Sequence, residues 1–286
     1  MPSVTNKIYA SLKSKGWLQR IAEVSLLRVL HRRFIGMNYF RHKIKMMKKW
    51  SKQRTEDDNF YYELTESNFK QLASMVAFVS GHPVNEIYDF INELRYDPEI
   101  RRHISSSWAD DSKMADATVG FGRRYGWYAF IRAMKPLVVV ETGVHQGVGS
   151  IVICSALMRN SNEGFTGKYI GTDINPNAGS LLTGNYANFG TILYGDSISS
   201  LKSLNENIDI FINDSDHSAV YEAKEYETVK DKLSTRSLIL GDNSHSTDSL
   251  VDFAVSHNRQ FLFFDEQPFD HWYPGAGIGI SPTSIY

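Results

Sequence analysis

Cysteine is nearly absent: Cys154 is the sole one in 286 residues. A lone thiol excludes an intrachain disulfide and any zinc site built from cysteines, and it fits a reducing, cytoplasmic setting. Long apolar runs are missing as well. The best candidate for a leader's apolar stretch, "IAEVSLLRVL" at 21–30, is broken by Glu23 and Arg28, and nothing reaches the roughly 20 apolar residues of a membrane span. A soluble or peripherally attached chain is expected. Two common nucleotide signatures are also missing from the main glycine run: Gly143, Gly147 and Gly149 are spaced G-x-x-x-G-x-G rather than G-x-G-x-x-G, and no Gly-Lys-Ser/Thr follows. Acidic residues are scarce in one region only. Residues 1–50 hold 12 Lys/Arg against Glu23 alone, whereas residues 51–286 hold 19 against 31 acids.

What is present suits a sizeable α/β core with an extension, since 42% of the chain is hydrophobic. In the basic head Trp17, Leu18, Ile21, Val24, Leu27 and Leu30 recur at helical spacing among Arg20, Arg28, His31, Arg32 and Arg33, and "RHKIKMMKKW" follows at 41–50. Such a helix can dock on its own acidic body, pair two copies into a homo-oligomer or lie on an anionic membrane surface; nucleic acid is not expected as a partner. The chain divides on this reading into a head at 1–52, a helical extension and lid at 53–119 and an α/β domain at 120–286. In the extension "SNFKQLASMVAFVSG" starts at a capping Ser67 and stops at Gly81, and "PVNEIYDFINEL" carries Pro83 in its first turn. Residues 103–120, "HISSSWADDSKMADATVG", read as a loop or lid, and "FGRRYGWYAFIRAMK" as a helix feeding the first strand.

The stretch "VVVETGVHQGVGS" at 138–150 is a buried strand, a glycine turn and the start of a helix. The turn lets backbone approach a ligand, and the N–H groups of the helix face the same space. Glu141, aimed at the crevice, repels a pyrophosphate but suits a sulfonium beside an amine, which makes S-adenosylmethionine (SAM) the first candidate. After it, strand and helix alternate, which predicts a mostly parallel sheet with strands "KYIGTD" (168–173), "TILYGD" (191–196), "IDIFIND" (208–214) and "SLILGD" (237–242). An antiparallel hairpin, "RQFLFFDEQ" and "GIGIS", completes it at the sheet edge. Ligands of open α/β sheets bind beyond the carboxyl ends of the strands, so Glu141, Asp173, Asp196, Asp214 and Asp242 should converge on one crevice.

With its motifs in this order, the segment 120–286 resembles a class I SAM-dependent methyltransferase, with that family's Rossmann-like sheet. The resemblance implies that Gly143, His145, Gly147 and Gly149 line the methionine and adenosyl part, that Asp173 takes both ribose hydroxyls, and that Asp196 with Ser197 flanks the adenine. "NDSDHSAVYEA" and "LGDNSH" are similar to the metal-binding strand ends of the catechol and caffeoyl-CoA type O-methyltransferases, and to bacterial methyltransferase domains with a "HWYPG" loop like that at 271–275. This likeness implies that Asp214, Asp242 and Asn243 hold Mg2+ or Mn2+, with Asp216 able to supply or replace a ligand, and that a hydroxyl on a small molecule or glycan is methylated. The family's usual lysine base is replaced by His217; histidine's ordinary pKa near 6.5 suits a general base. His245 and His271 rank behind it, and Trp272 with Tyr273 either stacks on a planar acceptor or pins its loop. Two other readings stand: a nicotinamide-dependent oxidoreductase, against which the glycine spacing and Glu141 count, and a SAM-binding scaffold without catalysis.

Overall fold

The computed structural model describes residues 25–52, 61–109, 114 and 118–283. It comprises two compact units, Met1–Gln53 with Asp270–Trp272, and Arg54–Phe269 with Tyr273–Tyr286. In the first unit α1 spans Ser25–Trp50, so Trp17, Leu18, Ile21 and Val24 of the expected head helix lie outside the described residues. Lys49 pairs with Asp270 at 3.0 Å, and the rings of Trp50 and Trp272 meet at 5.0 Å.

The second unit opens with three helices, α2 (Glu66–Ser80), α3 (Val84–Arg95) and α4 (Pro98–Trp108). The cap of α2 is Thr65, which accepts from the Asn68 N–H at 3.2 Å, rather than the expected Ser67; Gly81 ends it as expected. The loop expected from residue 103 begins later, because α4 continues through Trp108. Ile100, Ile104 and Trp108 recur on one buried face, and Asp97 caps the helix start by accepting from the N–H groups of Glu99 and Ile100. Within the rest of that expected lid, residues 110–113 and 115–117 lie outside the described residues.

The sheet follows. Its strands are β1 (Val138–Thr142), β2 (Lys168–Asp173), β3 (Gly190–Tyr194), β4 (Ile208–Asn213), β5 (Leu233–Gly241), β6 (Leu262–Phe264) and β7 (Ile278–Pro282), in the order β3-β2-β1-β4-β5-β7-β6. The first five are mutually parallel, and β7 runs antiparallel to both β5 and β6. The expected hairpin is thus present, but its second strand is inserted between β5 and β6, and β6 takes the edge.

Helices α5 (Arg124–Met134) and α6 (Val148–Asn162) cover one face with the helical layer; α7 (Ser197–Ser203), α8 (Ala219–Val229) and α9 (Ser249–Ser256) cover the other. Alternation along the strands explains both interfaces: Val139 of β1 and Leu238 and Leu240 of β5 face α5 and α6, while Val138, Val140 and Ile239 face α8 and α9. Covered on both faces, the strands read as near-continuous apolar runs. The carboxyl ends of the five parallel strands open on one side.

Candidate active site

A cleft of about 780 Å³ lies at those ends, and residues following β1, β2, β3, β4 and β5 line it. Gly143 shapes its floor. Its φ of 84° is left-handed, and a Cβ there would collide with the carbonyl of Asp214, so only glycine lets the β1 turn press against the end of β4. Beyond it, His145 donates its N–H to Asp173 Oδ2 at 2.8 Å, and the Asn175 N–H reaches Oδ1 of the same carboxylate at 2.8 Å. Asp173 therefore ties the turn after β2 as well as facing the cleft. Asp196 does the same after β3: it caps α7 through the Ser199 N–H, and the Tyr221 hydroxyl donates to it at 2.7 Å. These bonds, led by that from Tyr221, hold the Asp196 carboxyl below its ordinary range. Ser197 sits beside it, its Oγ 2.8 Å from the Tyr221 hydroxyl and hydrogen-bonded to the buried Glu225.

The glycine turn is braced from the helical extension. Trp108 at the end of α4 donates its indole N–H to Gln146 Oε1 at 3.0 Å, and its ring meets that of Tyr61 at 4.7 Å.

Four of the five strand-end carboxylates, Asp173, Asp196, Asp214 and Asp242, line the cleft, but Glu141 does not. Its side chain turns under the sheet, bonded to the hydroxyls of Tyr169 and Ser150, and is 1% exposed. Burial pushes its pKa up to about 8, although Tyr169 pulls the other way. Gly147 and Gly149 are also absent from the lining. Gly147 caps the start of α6, and Gly149 packs so tightly over the Glu141 carboxylate and Trp127 that a Cβ would strike both. The glycines after the turn thus serve packing, and only Gly143 and His145 of the motif face the cleft.

At the other end of the cleft stand Asp214, Asp216, His217, Asp242, Asn243 and His245. Asp216 points outward and caps the Ser218 N–H at 2.7 Å. His217 is bonded through Nδ1 to Oδ1 of the buried Asn243. Because an amide oxygen only accepts, Nδ1 carries the hydrogen of that bond. His245 lies against the Asp242 carbonyl at 3.2 Å, and burial, with the charge of Arg123, lowers its pKa. His271 and Trp272 belong to the first unit, whereas Tyr273 lines the cleft.

Arg123 was not legible as a site residue. Its guanidinium reaches both carboxylates: Nε is paired with Asp242 Oδ1, and one terminal nitrogen lies 3.8 Å from Asp214 Oδ2. Burial opposes its charge, but Asp214 and Glu266 outweigh that and hold its pKa above the ordinary arginine value. Asp214, by contrast, is pushed up by burial in spite of Arg123 and Arg124. The donor set expected for a divalent ion therefore converges, but a guanidinium is paired with one of its carboxylates, Asp242, and lies 3.8 Å from the other, Asp214, so a positive charge already stands where the ion would sit. Among the described residues no group of three or more His, Cys, Asp or Glu is placed to hold a metal ion. The one signal in the sequence was the pair Arg123-Arg124, set between Gly122 and Gly126 in an otherwise apolar, aromatic stretch. Tyr221 and Glu225, four residues apart on α8, were missed because nothing separates them in sequence from an ordinary helix face.

Residues 140–244 match the model of a family described as a methyltransferase domain. Over these residues the chain is similar to a methyltransferase domain. No curated protein matches the sequence. Among solved structures, a candidate caffeoyl-CoA O-methyltransferase from Staphylococcus aureus is 14% identical over 71% of this chain and 100% of its own, with a TM-score of 0.51. A methyltransferase from Geobacter sulfurreducens is 17% identical over 66% and 89% of the two chains, TM-score 0.46. The O-methyltransferase TomG from Streptomyces achromogenes, involved in tomaymycin synthesis and solved with SAM, is 11% identical over 65% and 88%, TM-score 0.45. The first of these carries the fold argument, and at its identity the likeness speaks for the methyltransferase fold alone.

Proposed function

We propose that this methyltransferase passes a methyl group from SAM to a hydroxyl on a small molecule or sugar. The observation that carries the reading is the division of one cleft into two ends: Gly143, His145, Asp173, Asp196 and Ser197 at one, His217 and its neighbours at the other. The first end fits the cofactor. Backbone comes close only because residue 143 is glycine, and Asp173 retains carboxylate lone pairs for vicinal hydroxyls beyond the two N–H bonds it accepts. The volume is ordinary for a site taking a ligand of this size. When bound there, SAM supplies an electrophilic methyl group for in-line displacement by the acceptor oxygen. The chain's own residues orient the two reactants and take the proton. Orientation is worth several kcal/mol when attacking and leaving atoms are aligned. Nε2 of His217, its tautomer set by Asn243, is the base. Magnesium-assisted deprotonation, implied by the family likeness, has no support in the donor set as it stands.

The test has two arms. Calorimetry with S-adenosylhomocysteine and, separately, NAD should give binding of the first only; preference for NAD would return the chain to the oxidoreductase reading. Transfer of label from methyl-labelled SAM across a panel of hydroxyl acceptors should then give a product, and tight binding with no turnover anywhere on the panel would favour the scaffold reading.

Helix α1 supports a peripheral membrane role beside this chemistry. No acidic residue occurs between 25 and 50, and Phe34, Ile35, Met37, Tyr39 and Phe40 are exposed among its cations. Aromatic side chains within a cationic helix fit an anionic lipid surface. No helix among the described residues is long and apolar enough to cross a membrane.

A further inference from the structure

We infer that Arg123 is the resident cation of the acceptor end, its guanidinium standing between Asp214 and Asp242 where the related chemistry calls for a divalent ion, so that the site needs no metal. This rests on the methyltransferase reading but concerns only the chain's own charges.

The arginine is built in. Gly122 has a φ of 49°, and a Cβ on it would crowd the Tyr62 ring at 2.9 Å and Glu266 Oε1 at 3.0 Å. Its N–H is held by the Tyr62 carbonyl at 2.9 Å, and a Cβ on Gly120 would run into the backbone of Tyr62. Two glycines thus clamp the chain against residue 62 and leave Arg123 as the N-cap residue of α5, its side chain directed to the ends of β4 and β5. Around it the charges nearly cancel. Asp214, Asp242 and Glu266 oppose Arg123 and Arg124; Glu266 also accepts from the Tyr62 hydroxyl at 2.8 Å and from the N–H of Gly277 at 2.8 Å.

A divalent ion entering between Asp214 and Asp242 would meet a fixed positive charge paired with Asp242 and 3.8 Å from Asp214 Oδ2. In a buried setting like charges so close repel by far more than in water. Asp242, one of the two carboxylates that would supply the ion's affinity, is already paired, and displacing the arginine would leave it buried without that partner. The consequence for substrate choice is chemical. A bound metal selects acceptors that chelate, such as vicinal diols; a guanidinium does not coordinate an acceptor, so a single hydroxyl presented to His217 suffices.

The experiment reads the metal alone and needs neither cofactor nor acceptor. The full chain, stripped with EDTA, is titrated with Mn2+ and followed by the electron-paramagnetic-resonance signal of free manganese. The wild type should leave that signal undiminished to millimolar Mn2+. Arg123→Gln, which frees the carboxylates, should bind at least tenfold more tightly, and the added change Asp242→Asn should abolish the gain. Stoichiometric binding by the wild type that disappears in Asp242→Asn overturns the inference, as does a folded Arg123→Gln that gains no affinity. Should Arg123→Gln fail to fold, the wild-type titration decides by itself. Failure here leaves S-adenosylhomocysteine binding, the test of the methyltransferase reading, untouched.

Discussion

Arg123 and Asp242 form an ion pair withdrawn from solvent, their side chains 7% and 4% exposed. The pair joins the start of α5 to the end of β5. Removing one partner strands the other, so Asp242→Asn should cost about 3–5 kcal/mol of stability, measured by urea unfolding. Replacing both, as Arg123→Met with Asp242→Leu, should cost less than the two single changes summed. Strict additivity would mean that the two charges do not act on each other.

Asp173 holds two backbone N–H groups and faces the cleft, so the proposed contact with the cofactor would add to its part in the turn. Asp173→Ala should weaken S-adenosylhomocysteine by about 1.5–3 kcal/mol, the range for charge-assisted hydrogen bonds. Calorimetry reads this directly. Unchanged affinity would take Asp173 out of the cofactor's reach and leave it a turn residue only.

For the proton-transfer step, His217→Ala should lower the turnover rate by roughly 10²–10⁴-fold while cofactor affinity stays within about twofold. Asn243→Ala should lose less, since it only sets which ring nitrogen carries the hydrogen. A full rate in His217→Ala would pass the role to His245, whose pKa burial and the charge of Arg123 lower.

Glu141 gives a pH signature away from the chemistry. With its folded pKa raised to about 8 from an ordinary 4.5, the folded state holds a proton that the unfolded state has lost between those values. Stability from this group is full below pH 4.5 and falls as pH rises toward 8, by at most about 1.4 kcal/mol per unit. Glu141→Gln carries no such dependence. The stability of wild type minus Glu141→Gln, from urea curves at pH 5, 6, 7 and 8, should therefore decline steadily; a flat difference would mean the carboxyl is ionised throughout.

The cationic helix makes a separate prediction. Co-sedimentation with vesicles should require anionic lipid, fall as salt is raised, and vanish for a chain beginning at Thr55. If that truncation instead converts a dimer to a monomer in light scattering, α1 serves self-association.

The sheet was readable because its central strands are buried on both sides: Val138–Val140, Ile210–Ile212 and Leu238–Leu240 are apolar without interruption, and polar residues follow each. The beginning of β5, Leu233–Arg236, escaped because its exposed half carries Ser, Thr and Arg, which look like a turn. Trp108 was placed in a loop because the serines before it are weak helix formers, yet Ile100, Ile104 and Trp108 bury one stripe and tertiary packing prevails. At the site, residues at strand ends were legible because topology sends them to one place. What a strand end does after its last residue was not. Glu141, one residue before the end of β1, alternates away from the cleft, and Arg123 arrives from a helix start that local sequence pairs with no strand.

The insertion of β7 bears on how the chain is made. Until residues 278–282 have been synthesised, β5 offers an unpaired edge of apolar strand, and Asp242 at its tip belongs to an unfinished sheet. During that interval of some forty residues the nascent chain exposes a template for pairing with its neighbours on the same polysome. Substitutions that weaken β7, such as Ile280→Asp, should therefore lower the yield of soluble protein before they can affect catalysis.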